Sequence, residues 1–144
     1  MSLKHCVMAA MLLCTVLCAQ SMAQSENDFN DALCRTIGGT RETRHDFTYG
    51  EGQQGYVSAD CETELFVIEG GLDRRSSHDI LQDVLFLGAL TGKSPAVVIY
   101  DTDGRIGGYE HRTQAATEQA GALFLRLRPG DLTDREWLGM VLGR

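Results

Sequence analysis

The chain has 144 residues, of which 20 are acidic and 13 are basic, so its net charge is −7 at pH 7. This length is enough for one domain with a hydrophobic core. The negative charge excludes a general electrostatic attraction to nucleic acid or to anionic membranes, which would need a local basic patch.

The first segment has the composition of a secretory signal peptide. Lys4 supplies a positive start, a mainly apolar run follows at Val7–Leu17, and Ser21 and Ala23 place small residues where a signal peptidase cleaves. The apolar run is shorter than the roughly 20 residues of a membrane-spanning helix. We therefore expect a signal peptide over 1–23, cleavage after Ala23, and export to the periplasm or beyond without membrane attachment.

Export changes the interpretation of the cysteines. Cys6, Cys14 and Cys18 leave with the signal peptide, so the mature chain, 24–144, keeps Cys34 and Cys61. An even pair in an exported domain favours a disulfide. Two buried thiols or a pair of metal ligands are the alternatives.

The first half of the mature chain predicts one helix and three strands. Apolar residues at helical spacing predict a helix over Ser25–Ile37, with Ser25 or Asn27 as its N-cap. Glycines at 38 and 39 end this helix. The three strands are predicted at Phe47–Tyr49, Gly55–Cys61 and Glu64–Glu69, and the glycines at 70 and 71 end the third.

The second half predicts three helices around further strands. The first of these helices begins at Ser76 and Ser77 and ends at Gly92. The other elements are predicted as a buried strand at Ala96–Tyr100, a strand at Ile106–Tyr109 after a tight turn, a short helix at Thr113–Ala120, a strand at Ala122–Leu127 and a last helix capped by Thr133. The fold class is α/β, in the order αβββαβ followed by C-terminal additions.

Four acidic or amide residues lie near element ends in this layout. Glu42 follows the first helix, Asp60 and Glu69 end the second and third strands, and Gln82 lies one turn into the second helix. Carboxylates at the ends of two adjacent strands can share one divalent cation, and hard ions such as Mg²⁺ or Mn²⁺ prefer such oxygen ligands. An ion placed there can activate water and stabilise charge on a phosphate.

These residues, with their neighbours, resemble a branch of the PD-(D/E)XK nuclease superfamily. The matching segments are Cys34-x-x-x-Gly38-Gly39-x-x-Glu42, Val57-Ser58-Ala59-Asp60-Cys61-Glu62-Thr63-Glu64, Val67-Ile68-Glu69, Ile80-Leu81-Gln82 and Leu90-Thr91-Gly92-Lys93-Ser94-Pro95-Ala96-Val97-Val98-Ile99. The resemblance covers about 34–100 and implies a restriction-endonuclease-like core. It makes Asp60 and Glu69 the motif carboxylates and metal ligands, Glu42 the acidic residue near the first helix, and Gln82 the polar residue of the second helix.

One position departs from that pattern. The superfamily has a lysine two residues after the second carboxylate, where this chain has Gly71. Arg74 and Arg75 follow a few positions later. Arginine keeps its proton at working pH and cannot act as a general base, although it can bind a phosphate.

The resemblance therefore implies two functions. The first is an exported, catalytically degenerate domain that acts in envelope binding or structure, with an unknown partner. The alternative is a divalent-metal-dependent nucleic-acid phosphodiesterase. In that case Asp60 and Glu69 bind Mg²⁺ or Mn²⁺, Glu42 assists through water, and Arg74 or Arg75 contacts phosphate. The sequence does not decide whether the chain is an enzyme.

Two further patterns have structural interpretations. Asp101-Thr102-Asp103-Gly104 resembles the nucleophile motif of haloacid-dehalogenase phosphatases, but too little chain follows for that fold, so we predict a turn. Arg126 and Arg128 alternate with leucines, which predicts the solvent face of an outer strand or a small basic strip. The histidines outside the signal peptide, at 45, 78 and 111, are predicted at the surface.

Overall fold

The first helix forms because its two ends are capped. In the computed structural model, which describes residues 24–74 and 80–142, helix α1 spans Glu26–Ile37. The Ser25 hydroxyl accepts a hydrogen bond from the Asp28 backbone, and the Asp28 carboxylate accepts one from the Ser25 backbone. Gly38, with φ of 72°, ends the helix in the left-handed conformation. The predicted helix is confirmed, with Ser25 rather than Asn27 as its cap.

Five strands form one mixed sheet in the order β1-β2-β3-β4-β5. The strands are β1 Thr40–Tyr49, β2 Gln53–Glu62, β3 Phe66–Leu72, β4 Ser94–Tyr100 and β5 Leu123–Leu127. The pairs β1–β2 and β2–β3 are antiparallel, whereas the pairs β3–β4 and β4–β5 are parallel. The remaining elements are α2 Ile80–Thr91, α3 Gly108–Gln119, a 3-10 turn Pro129–Thr133 and α4 Arg135–Leu142. The α/β class is confirmed, and so is the predicted order of helices and strands, except for the strand predicted at Ile106–Tyr109.

The apolar runs of the central strands, Phe66–Ile68 in β3 and Ala96–Tyr100 in β4, fit a sheet whose two faces are both covered. Ile68 and Val98 pack into a core with α1 and α4 on one face. Val67 and Val97 pack with α2 on the other. A strand buried on both sides needs a continuous apolar run rather than alternation, which is why β4 was recognisable in the sequence.

The start of β1 and the end of β3 differ from the prediction by more than two residues. β1 is ten residues long and begins at Thr40, although only its end was predicted. β3 continues through Gly70 and Gly71, which were predicted to end it. Gly70 is required inside the strand because α1 crosses there. A Cβ at this position would overlap the Asn30 side chain and lie 2.9 Å from a ring carbon of Tyr100.

Gly70→Ala should therefore destabilise the fold by about 1–3 kcal/mol, the usual cost of overpacking a core. Asn30 cannot move freely, since its Oδ1 accepts a 2.6 Å hydrogen bond from the Tyr100 hydroxyl. Urea denaturation measures the change. Gly108→Ala is the matched control, because a Cβ there meets nothing within 4 Å. Equal midpoints for both variants would contradict the close approach at Gly70.

The C-terminal half differs from the prediction at two helix starts. No strand forms at Ile106–Tyr109, because α3 begins at Gly108, where the Glu110 carboxylate accepts a hydrogen bond from the Gly107 backbone. Thr133 ends the 3-10 turn, and Asp134 accepts the hydrogen bond from the Trp137 backbone at the start of α4. The predicted cap of α2, at Ser76 and Ser77, lies outside the described residues.

A disulfide joins Cys34 in α1 to Cys61 in β2, as predicted, with an S–S length of 2.05 Å. Both cysteines are buried. Gly39 makes room for the bridge, because a Cβ there would lie 2.6 Å from the Cys61 sulfur. A disulfide fits an exported protein, and the segment 1–23 lies outside the described residues. Within 24–74 and 80–142, no helix is long and apolar enough to cross a bilayer.

Candidate functional site

Asp60 and Glu69 meet where β2 and β3 separate. The two strands pair only at Cys61 with Ile68 and at Glu62 with Val67. At the next position, the Asp60 carboxylate accepts a 2.9 Å hydrogen bond from the Gly70 backbone. The Glu69 carboxylate in turn accepts one of 3.4 Å from the Asp60 backbone. Each side chain thus binds a backbone N–H that the strand ladder no longer pairs. We call this place the fork.

The fork holds two carboxyl groups that cannot both ionise easily. Glu69 is only 9% exposed, and burial, followed by the negative charge of Asp60, raises the pKa of Glu69 to about 9. Burial also raises the pKa of Asp60, against the lowering effect of the Gly70 hydrogen bond. The two carboxyl groups share a hydrogen bond that raises the pKa of Glu69 and lowers that of Asp60. A neutral Glu69 that donates to an ionised Asp60 accounts for these directions.

Glu42 lies beside the fork on a strained segment of β1. Its φ is 49°, a left-handed conformation that is uncommon outside glycine. Arg41 and Thr43 keep their ladder partners Cys61 and Ala59, so the irregularity falls opposite Asp60. The Glu42 charge raises the pKa of Asp60. Strained residues of this kind concentrate at functional sites.

Two charged residues near the fork were not predicted. The Arg41 guanidinium lies 3.0 Å from Asp31 and 2.8 Å from Glu42, and its charge lowers the pKa of Asp60. Glu26, in the first turn of α1, has its pKa raised by burial and then by the charge of Asp60. The sequence gives no direct signal for Glu26, since its approach to Asp60 depends on how α1 crosses the sheet.

The second helix contributes Asp83 as well as the predicted Gln82. The Asp83 charge raises the pKa of Glu69. Gln82 is exposed and lines, with Asp83, a cavity of about 500 Å³ between β2 and α2. Asp83, which follows the predicted Gln82, is therefore the residue of α2 whose charge acts on Glu69.

Arg74 contacts a different part of the sheet. Its guanidinium donates a 3.1 Å hydrogen bond to Thr102 and lies 3.7 Å from Asp73, near the ends of β4 and β3. Arg75 lies outside the described residues. Position 71, where the superfamily has its lysine, is a glycine inside β3.

A second acidic group, Asp73, Asp101 and Asp103, brings one ligand atom from each residue within 4.8 Å of the others. Its carboxylates already have partners. Asp73 accepts hydrogen bonds from the Thr102 and Asp103 backbone, and Asp101 accepts one from Gly104. These bonds build the turn that the sequence predicted after β4.

Arg126 in β5 and Arg128 just after it complete that turn rather than form a basic strip. Arg126 lies 2.9 Å from Asp101 and 2.8 Å from Glu110, and Arg128 lies 3.4 Å from Asp101. Arg126 is only partly exposed. The prediction of a solvent-facing pair was therefore wrong for Arg126, because two buried carboxylates hold its guanidinium.

His45 is also not a simple surface residue. Its Nε2 lies 2.6 Å from the Glu62 carboxylate, whose other oxygen accepts a 2.6 Å hydrogen bond from Lys93. Burial alone would raise the pKa of Glu62, but the bonds from Lys93 and His45 hold it below its ordinary value. His111 is exposed, as predicted, and His78 lies outside the described residues.

The sequence matches no model of a protein family, and no curated protein and no solved structure matches the chain. The function is therefore inferred from the geometry of the fork. Its donor set, two converging carboxylates, fits a hard divalent cation such as Mg²⁺ or Mn²⁺.

Proposed function

We propose that this chain is an exported, non-hydrolytic domain of restriction-endonuclease-like architecture, which binds a divalent cation weakly at Asp60 and Glu69 and acts in envelope binding or structure. The convergence of these two carboxylates at the fork carries the proposal. The order of helices and strands and the mixed sheet support the architecture.

A cation suits the fork because it can take the place of the shared proton. The carboxylates of Asp60 and Glu69 repel each other when both are ionised, and a divalent ion removes that repulsion. Binding is weak because the carboxylates already accept hydrogen bonds from Gly70 and Asp60. A bound ion would supply water activation and charge stabilisation there.

Among the described residues, the lysine of the superfamily pattern has no counterpart at the fork. Gly71 occupies the position of the superfamily lysine. Lys93, which is the only lysine outside the signal peptide, donates its hydrogen bonds to Glu62 and to the Thr63 carbonyl. Arg74 is bound to Thr102. Arginine does not lose its proton in this pH range, so neither Lys93 nor Arg74 supplies the amine that hydrolysis would use.

The alternative is a metal-dependent nuclease, and the segment at Glu42 favours it. A left-handed backbone at an acidic residue opposite Asp60 is costly and indicates a constrained role. In that function Glu42 assists through water, and Arg41, which lies beside it, supplies a positive charge near the phosphate.

Calorimetric titration with Mn²⁺ tests the proposal. Wild-type protein should bind one ion with a Kd of about 10⁻⁴ to 10⁻³ M, the range of weak extracellular cation sites. Binding should release about one proton near pH 7, because Glu69 must ionise. Glu69→Gln should abolish both signals, whereas Asp103→Asn, in the second acidic group, should leave them unchanged. Binding that survives Glu69→Gln would contradict the assignment.

A cleavage assay separates the two functions. Mature, oxidised protein with Mg²⁺ or Mn²⁺ should leave plasmid DNA and single-stranded RNA intact. Cleavage by the wild type that disappears in Glu69→Gln would establish the nuclease and overturn the non-hydrolytic proposal.

A further inference from the structure

A groove runs between β2 and α2 and reaches the neighbourhood of the fork. Its volume is about 500 Å³, within the range of ligand sites. The groove is lined by Phe47, Tyr56, Val57, Ser58, Gln82, Asp83 and Phe86. Three of these residues, at 56, 57 and 58, are consecutive in β2. Because neighbouring side chains of a strand point to opposite faces, a cavity that touches three in a row lies against the edge of the strand.

That edge of β2 has no strand paired with it in the described parts of the chain. β2 pairs with β1 from Gln53 to Glu62 but with β3 only at Cys61 and Glu62. The segment 53–58 therefore presents backbone groups on the side of the groove. Unpaired strand edges are templates for the addition of another strand.

The floor of the groove is aromatic. The Phe47 ring crosses beneath Gly55, where a Cβ would lie 2.7 Å from the ring. Phe47 then meets Phe86 of α2 edge-on, with ring centroids 4.8 Å apart. Phe86 is 39% exposed. The groove thus combines an apolar floor with an open strand edge, as peptide sites that work by strand addition do.

The negative charge around the groove favours a basic binding partner. Asp83 lines the groove, and its negative charge raises the pKa of Glu69 at the fork. The whole chain carries a net charge of −7. Phosphate groups of nucleic acid would be repelled here, whereas lysine or arginine side chains would be attracted.

We propose that this groove binds an extended, basic segment of a partner protein by strand addition to the free edge of β2. The inference deepens the binding role proposed above, but it needs no cation at the fork. The basic side chains on the face of the segment toward α2 would lay their aliphatic stems on Phe47 and Phe86 and bring their charge to Asp83.

The test uses the mature, oxidised protein in EDTA and the peptide acetyl-Lys-Val-Lys-Val-Lys-amide, with binding followed by fluorescence anisotropy. Two N-methylated forms of the peptide keep its side chains but remove the N–H groups of one edge each. At least one form should bind ten-fold or more weakly, since strand addition needs the N–H groups of one edge. Equal binding of all three peptides would overturn the proposal.

Protein variants locate the site. Phe86→Ala should weaken binding at least ten-fold, whereas Leu90→Ala, one turn further along α2 and equally exposed at 39%, should not. Asp83→Asn should weaken the lysine peptide but not a serine analogue, Ser-Val-Ser-Val-Ser. Hydrogen exchange should show new protection of backbone amides in 53–58. Tighter binding of single-stranded DNA than of the peptide, lost in Phe86→Ala, would overturn the peptide assignment.

Glu69→Gln distinguishes the two proposals. This variant should lose Mn²⁺ but keep the peptide, so a failure of cation binding leaves the groove testable. Failure of the wild type to bind the lysine peptide better than its glutamate analogue, Glu-Val-Glu-Val-Glu, would overturn the groove proposal alone.

Discussion

Without divalent ions, the protein should lose stability steadily as the pH rises from about 4.5 to about 9, and Glu69→Gln should remove most of that loss. The pKa of Glu69 rises from its ordinary value of 4.5 to about 9 in the folded chain. Between these values the unfolded chain has released the proton that the folded chain still holds. The free energy of unfolding therefore falls with pH, by at most about 1.4 kcal/mol per unit for one proton.

The substitution is informative because glutamine imitates the neutral form of Glu69. Its amide oxygen can accept the hydrogen bond from the Asp60 backbone, and its amide nitrogen can donate to the Asp60 carboxylate. Urea denaturation in EDTA at a series of pH values measures the effect. Glu64→Gln, at an exposed position, should follow the wild-type profile. Parallel profiles for wild type and Glu69→Gln would show that Glu69 is not protonated in the fold.

Removal of the disulfide should have the second large effect. The bridge closes a loop between residues 27 positions apart, and its loss should cost roughly 3–4 kcal/mol through the entropy of the unfolded chain. Cys34→Ala with Cys61→Ala should lower the urea midpoint accordingly, as should reduction of the wild type. Because Cys61 adjoins Asp60, the double variant should also bind Mn²⁺ more weakly. An unchanged midpoint would contradict a stabilising role of the bridge.

The sequence predicted the elements that local chemistry determines. Ser25 and Gly38 bound α1 through caps, and the apolar run at 96–100 could only be a buried strand. The sequence predicts only the end of β1 because the rest of that strand is polar and lacks an apolar face, and only its pairing with β2 makes it a strand. The sequence predicts an end of β3 at Gly70 because the need for space there comes from Asn30 on another element.

At the candidate site, too, some residues could be predicted from the sequence, whereas others depend on how the elements pack. The resemblance named Asp60 and Glu69, and the antiparallel register that pairs Cys61 with Ile68 brings them together inside the strands rather than at their ends. Asp83 and Glu26 could not be predicted, since the rotation of a helix against the sheet decides which acidic charges act on the fork. Arg74 was expected near a phosphate site, and its bond to Thr102 depends on the turn after β4.

Anomalous scattering from a crystal of residues 24–144 soaked in Mn²⁺ locates the bound ion. We expect one anomalous peak, in contact with the carboxylates of both Asp60 and Glu69, and its absence in a Glu69→Gln crystal. A peak held only by Asp73, Asp101 and Asp103, or no peak at all, would contradict the proposed cation site.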